Sequence, residues 1–195
     1  MSRTIVFDFD GTLADTWDQT IELLKKHAKF DSEDVDYFRK NGALKTIAKL
    51  KIPPLQLIQK TIQIQKEQKS VIDEAKPFEG IKTLMNDIRS MNNEVGILSA
   101  NSTENIKKWL KKWDMQVDFV MTTSALLGKA KILKEIKTDD MIYVGDEVRD
   151  IEACKKAGVP VIAVTWGFND MEALIDAKPD WMAKTVEGIM QIINN

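Results

Sequence analysis

Cysteine and histidine are almost missing from this chain: Cys154 and His27 are the only examples among 195 residues. A lone cysteine rules out an internal disulfide framework and suits a reducing compartment, so a cytoplasmic protein is expected. No excess of charge of either sign exists, the formal net charge being −2. That removes the basic field with which a protein gathers nucleic acid or anionic lipid. Lysines are dense between Lys107 and Lys137, but they fall at helical spacing among apolar positions and read as solvated faces. No apolar run approaches the roughly 20 residues that a bilayer requires, so no membrane association is expected. The first strand begins almost at the N-terminus, which leads us to expect no signal peptide.

What is present is an alternation. Short apolar runs recur at residues 4–9, at 94–98 ("EVGIL"), at 119–121 ("FVM"), at 141–144 ("MIYV") and at 159–164 ("VPVIAV"), with a weak last one at Trp181–Ala183. Their apolarity is continuous rather than alternating, as in parallel strands buried on both faces. Between them, Ile81, Leu84, Met85 and Ile88 repeat at helical spacing, as do Ile106, Trp109 and Leu110, then Ile132, Leu133 and Ile136, and Ile151, Cys154 and Ala157. The expected fold is therefore α/β, a doubly wound parallel sheet. Cys154, on the apolar side of its helix, reads as a small buried hydrophobe.

Residues 17–76 break the alternation. They hold no convincing strand but several amphipathic helical patterns, around Ile21, Leu24 and Ala28, around Val35 and Phe38, and around Leu44, Ile47 and Leu50. Asn41-Gly42 is a natural stop for the second, and Pro53-Pro54 a natural start for a further helix that carries Leu55, Ile58 and Ile62. The chain thus divides into an α/β core, residues 1–14 and 78–195, and an inserted all-helical unit, residues 15–77. A loop at Arg39, Lys40, Asn41 and Gly42 is one candidate for facing a substrate.

Ligands of open α/β sheets bind at the carboxyl ends of the strands. The first strand ends in Asp8, Asp10, Gly11 and Thr12; the second delivers Ser99, Ala100 and Asn101; the fourth delivers Gly145, Asp146 and, one helical turn on, Asp150. Gly128 and Lys129 open a helix after the third. Like charges gathered so closely raise one another's pKa, and a hard divalent cation relieves them. Mg²⁺ suits one or two carboxylates, retained waters and phosphate oxygens. Lys129 and Ser99 would hold the remaining phosphate oxygens, and Gly11 would let the backbone approach an anion and turn out of the strand. Asp8 and Asp10, two apart on an extended chain, point the same way. With Asp8 attacking and Asp10 donating and then removing a proton, phosphate hydrolysis divides into two steps through an aspartyl-phosphate.

"FDFDGTLADT", "ILSANS", "GKAKIL" and "VGDEVRDIEACKKAG" together resemble the four motifs of the haloacid dehalogenase-like hydrolase superfamily, in its phosphoglycolate-phosphatase-like branch. The first and fourth motifs are the specific ones. The resemblance implies a Rossmann-like core, Asp8 as nucleophile, Asp10 as acid and base, Ser99 on phosphate and Lys129 on the phosphoaspartate. It also implies that Asp146 ligates Mg²⁺ with Asp8 and the main-chain carbonyl of Asp10, with Asp150 supporting the metal. Gly11, Thr12, Ala100 and Asn101 complete the expected phosphate site, and the insertion becomes a small cap that selects the substrate. The third motif lacks the Lys-Pro of many relatives, which leaves Lys131 as a second candidate beside Lys129. The expected substrate is a small phosphorylated metabolite and the expected assembly a monomer or homodimer. A mutase, a phosphonatase using Lys25, Lys26 or Lys29, and a non-catalytic phosphate binder are the alternatives. Glu147 and Arg149 read as surface groups, and Trp166 as a packing residue near the rim.

Overall fold

The six apolar runs form one parallel sheet. A computed structural model describes residues 2–123 and 128–194. The strands are β1 (Thr4–Phe7), β2 (Glu94–Ser99), β3 (Phe119–Thr122), β4 (Met141–Gly145), β5 (Val161–Val164) and β6 (Trp181–Ala183). Their order is β3-β2-β1-β4-β5-β6, and every pairing is parallel. The chain builds outward from β1 on one side and then crosses to the other, so the topological switch lies between β1 and β4.

The side-chain period of two divides the core between the faces of this sheet. Ile5, Phe7, Val95, Ile97, Ile142, Val144, Ile162 and Val164 pack on one face. Helices α4 (Ile81–Ser90), α5 (Thr103–Lys112) and α9 (Val186–Ile193) supply Ile81, Met85, Trp109 and Ile189 there. Val6, Leu98, Tyr143, Val161 and Ala163 pack on the other face, against Leu133 of α6 (Lys129–Ile136) and Ile151 and Cys154 of α7 (Val148–Ala157). Cys154 is fully buried, as its helical position implied, and burial pushes its thiol pKa up. Gly158, at φ +67°, ends α7 in the left-handed conformation that glycine adopts freely. The short helix α8 (Met171–Asp176) sits between β5 and β6.

The insertion leaves and rejoins the core through two segments that run side by side. The Asp15 amide donates to Lys76 O at 2.8 Å and the Phe78 amide donates to Leu13 O at 3.1 Å. Between them lie α1 (Trp17–Ala28), α2 (Ser32–Leu50), α3 (Pro54–Val71) and a short 3₁₀ turn. Asp31 caps α2 and shares a capping box with Asp34, and Pro54 opens α3 at the position where its missing N–H matters least. The stop expected at Asn41-Gly42 falls where α2 breaks into two helices across a kink. Gly42, at φ 76° and ψ 172°, leaves helical geometry, and the helix resumes beyond it. Trp17, Phe30 and Phe38 of the insertion pack with Phe168, from the loop after β5. Among the described residues no helix is long and apolar enough to cross a membrane.

Candidate active site

Asp8 follows Phe7 at the centre of the sheet, and its amide donates to Val144 O of β4 at 2.8 Å. By strand parity its side chain belongs to the face of Val6, where α6 and α7 lie. Lys129, the first residue of α6, meets it there: Nζ lies 2.7 Å from Asp8 Oδ2 and 2.6 Å from Asp150 Oδ1. Lys129 rests over the Tyr143 ring, 5.6 Å from its centroid. Lys131, the other candidate lysine, has an 84% exposed side chain and, among the described residues, pairs with Glu135 alone. The structure therefore puts Lys129 at the strand ends and Lys131 in solvent.

Asp146 follows β4 and is gripped from both sides. Its Oδ1 accepts from the Thr12 hydroxyl at 2.7 Å and its Oδ2 from the Phe168 amide at 2.7 Å. Its carboxylate fills the space beside two glycines. A Cβ on Gly11 would stand 2.3 Å from Asp146 Oδ2, and one on Gly167 would stand 2.2 Å from it. Gly11 also adopts φ +76°, so backbone and space both demand glycine there. Gly11 and Thr12 were expected to offer donors to phosphate. In the structure the Gly11 amide donates to Ala14 O, the Thr12 amide to Phe9 O, and the Thr12 hydroxyl to Asp146. These donors are spent on shaping the loop and orienting Asp146.

The second strand brings Ser99 and Asn101 to the same edge, both buried, with half-buried Ala100 between them. Ser99 does not cap the following helix; Ser102 does, accepting from the Asn105 amide at 3.1 Å. Ser99 Oγ instead accepts from the Asn101 amide at 3.0 Å. Asn101 Nδ2 donates to both oxygens of Asp10, at 3.2 and 3.1 Å. Asp10 is thus held from the loop that follows β2.

Oxygens of Asp8, Asp146 and Asp150 all lie within 4.8 Å of one another, and all three residues are buried. Burial pushes Asp8 up to about 7, against the lowering charge of Lys129. Burial drives Asp146 well above the usual carboxylate range, and Glu147, Asp8 and Asp150 add to it. Asp10 is raised too, by burial, with the Asn101 bond opposing. Burial alone would lower Lys129, but the charges of Asp150 and Asp8 together outweigh it and its pKa rises. One ammonium among three buried carboxylates leaves negative charge in excess. Each Asp146 oxygen also keeps a second lone pair. An all-oxygen, anionic cluster of this kind fits a hard divalent cation such as Mg²⁺. The Asp10 carboxylate stands outside the cluster, which leaves its main-chain carbonyl for any part in metal binding.

Two residues read as surface groups are not. Glu147 is 1% exposed, and its Oε1 accepts from both Nε and Nη2 of Arg149, whose side chain is only 18% exposed. Their place directly after a strand end was the available signal. Asn169 was also unread. It is fully buried, accepts from the Val148 amide at 2.8 Å, and donates to Phe38 O and Arg39 O of the insertion. Trp166 packs against Phe78, and its Nε1 donates to Thr12 O.

Comparison with known proteins bears on this geometry directly. Residues 5–164, from β1 to the end of β5, match the family model described as haloacid dehalogenase-like hydrolase. The chain is 30% identical to a phosphoglycolate phosphatase of Synechococcus elongatus, over 98% of this chain and 97% of that one. It is 25% identical to the pyrophosphatase PpaX of Bacillus anthracis, over 99% and 97%. The crystal structure of a predicted phosphatase from Clostridium acetobutylicum superimposes with a TM-score of 0.84 at 19% identity, covering 100% and 99%, a likeness of fold. The matched region spans all the carboxylates gathered above, and with an identity of 30% across nearly the whole length the chain belongs to the haloacid dehalogenase-like hydrolase family.

Proposed function

We propose that this enzyme is a Mg²⁺-dependent phosphatase that hydrolyses a small phosphomonoester, phosphoglycolate-like in kind, through an aspartyl-phosphate on Asp8. The observation that carries the reading is the buried Asp8–Lys129 contact of 2.7 Å within a three-carboxylate cluster at the switch point of the sheet. Relatives named for phosphoglycolate and for pyrophosphate support a small phosphorylated substrate. A single cysteine, buried, agrees with a cytoplasmic setting.

In the first step an Asp8 carboxylate oxygen attacks phosphorus and the bond to the leaving oxygen breaks. Asp10, whose pKa burial raises, gives its proton to that oxygen. In the second step the same carboxylate, now ionised, takes a proton from water, which attacks phosphorus and releases phosphate and Asp8. Asn101 keeps Asp10 in place for both transfers. Lys129 and Ser99 hold the phosphoryl oxygens, since phosphoryl transfer asks a protein mainly for positioning and charge. Asp8, Asp146 and the Asp10 carbonyl would hold Mg²⁺, with Asp150 beside them, and the ion supplies positive charge to the phosphoryl oxygens. Residues 15–77 act as the cap that covers this centre, and residues 1–14 and 78–195 as the catalytic core. Lys25, Lys26 and Lys29 are all exposed, and Lys26 is paired with Glu67, an environment that does not favour a Schiff-base lysine for phosphonate cleavage.

The test is phosphate release from a panel of phosphorylated metabolites, with Mg²⁺ and with EDTA, using the native enzyme and Asp8→Asn. Turnover in Mg²⁺ alone, abolished by the substitution, is expected. Release that survives Asp8→Asn or EDTA overturns the mechanism.

A further inference from the structure

Arg149 takes no part in the steps above, yet it lies inside the site. Its positive charge lowers the pKa of both Asp8 and Asp10, as that of Lys129 does, and Asp150 raises its own. A guanidinium carries five N–H groups in a rigid plane. Glu147 Oε1 accepts from two nitrogens along one edge, and Arg149 makes no other hydrogen bond among the described residues. Glu147 is itself buried, and its Oε2 has no partner. A buried ion pair contributes little net stability against an apolar replacement, so packing gives no reason for this one. What Glu147 does accomplish is to fix the plane of the guanidinium and leave its opposite edge open.

The position of Arg149 on its helix indicates a use for that edge. Arg149 lies in the first turn of α7, between Val148 and Asp150. Asp150 bonds Lys129 at the reacting end. Val148 faces the insertion: a Cβ on Gly42 of α2 would lie 3.7 Å from Val148 Cβ, and Asn169 joins the Val148 amide to the Phe38 and Arg39 carbonyls. Arg149 therefore lies on α7 between a residue bonded at the reacting end and one that meets the insertion.

We propose that Arg149, oriented by Glu147, binds a second oxyanion of the substrate, on the leaving-group side, and so sets a preference for phosphomonoesters that carry a carboxylate or a further phosphate. The proposal rests on the phosphatase reading and adds a specificity-determining residue to it. Glu147 is a positioning residue, acting through Arg149.

The experiment compares kcat/KM for three substrates: p-nitrophenyl phosphate, which has no second anion, 2-phosphoglycolate, which has a carboxylate, and inorganic pyrophosphate, which has a second phosphate. The readout is the ratio of each anionic substrate to the aryl phosphate, which cancels differences in folded fraction. Arg149→Gln is expected to lower one or both ratios about 10- to 100-fold, chiefly through KM. Arg149→Lys, which keeps the charge but loses the fork, falls between, and stands in if the Gln variant does not fold. Glu147→Gln lowers the same ratio by a smaller factor. The ratio that falls identifies carboxylate or phosphate as the group read. Ratios unchanged within about twofold, or native turnover of the aryl phosphate alone, overturn the proposal while leaving the phosphatase reading intact. A native enzyme that releases phosphate from none of the three overturns that reading and this proposal with it.

Discussion

Lys129 Nζ lies 2.7 Å from Asp8 Oδ2, with both side chains almost wholly withdrawn from water. The contact follows from strand parity: Asp8 continues the face of Val6, and α6 begins on that face with Lys129. Removing one partner of such a pair strands the other charge in a medium that solvates it poorly. In this site it would strand two, because Lys129 also pairs with Asp150.

Lys129→Met should therefore lose about 3–5 kcal/mol of stability along with at least about 100-fold in kcat. Lys131→Met, at an 84% exposed side chain, should stay within about 0.5 kcal/mol and twofold in kcat. Thermal denaturation and aryl-phosphate turnover of the two variants decide this. Equal losses in both would remove Lys129 from its assigned place.

The carboxylate cluster gives the metal-free protein an unusual pH dependence. Asp8 is raised from an ordinary 3.8 to about 7 by burial, and Asp146 is raised in the same sense. A raised carboxylate binds its proton more tightly in the folded state. Its contribution to stability is complete below about pH 4 and is lost as pH rises through about 7. In EDTA the melting temperature should then fall between pH 5.5 and pH 7.5, and Mg²⁺ should restore it at the higher pH. A metal-free melting temperature that climbs over this interval contradicts the charge balance described here.

The parity that put Asp8 opposite Lys129 was legible before any coordinates, because β1, β2, β4 and β5 are short continuous apolar runs and the residues after them are polar and distinctive. Asp146 and Ser99 were readable for the same reason. Arg149 and Glu147 were read as solvated, as charged residues at a helix start usually are, and their place directly after a strand end was the one sign that they turn inward. The break at Asn41-Gly42 was legible, but what lies beside it was not. The dipeptide does interrupt the helix, but α2 resumes after it, alongside Val148 and Asn169 of the core. Nothing local announces such a neighbour.

Gly11 and Gly42 make a controlled comparison, since both adopt φ +76°. An alanine at either strains the backbone by about 1–3 kcal/mol. Only at Gly11 would the new methyl also strike Asp146, whose Oδ2 would be 2.3 Å away; at Gly42 the nearest atom would be 3.6 Å away. Gly11→Ala should thus raise the Mg²⁺ concentration needed for half-maximal activity about 10-fold or more. Gly42→Ala should change stability without moving that midpoint. A metal titration of both variants checks it, and an unmoved midpoint in Gly11→Ala would show that Asp146 does not need its clamp.

Asn169 offers a way to loosen the insertion without touching the chemistry. Its Oδ1 accepts from the first amide of α7, whereas its Nδ2 donates to two carbonyls of α2. Asn169→Ala breaks both sides and leaves the Val148 amide and the Phe38 carbonyl without these bonds, a loss of about 2–3 kcal/mol. Asn169→Asp separates the two. An ionised carboxylate still accepts from Val148 but cannot donate, and it would face the Phe38 and Arg39 carbonyls with like partial charge. The Asp170 amide still bonds Arg39 O, so α2 keeps one tie to the core. Amide exchange within residues 32–50 should therefore quicken several-fold in Asn169→Asp while exchange in β1 and β4 stays as in the native protein. If exchange in 32–50 does not change, the Asn169 bonds do not hold the insertion against the core, and the aromatic contacts of Trp17, Phe38 and Phe168 must do so instead.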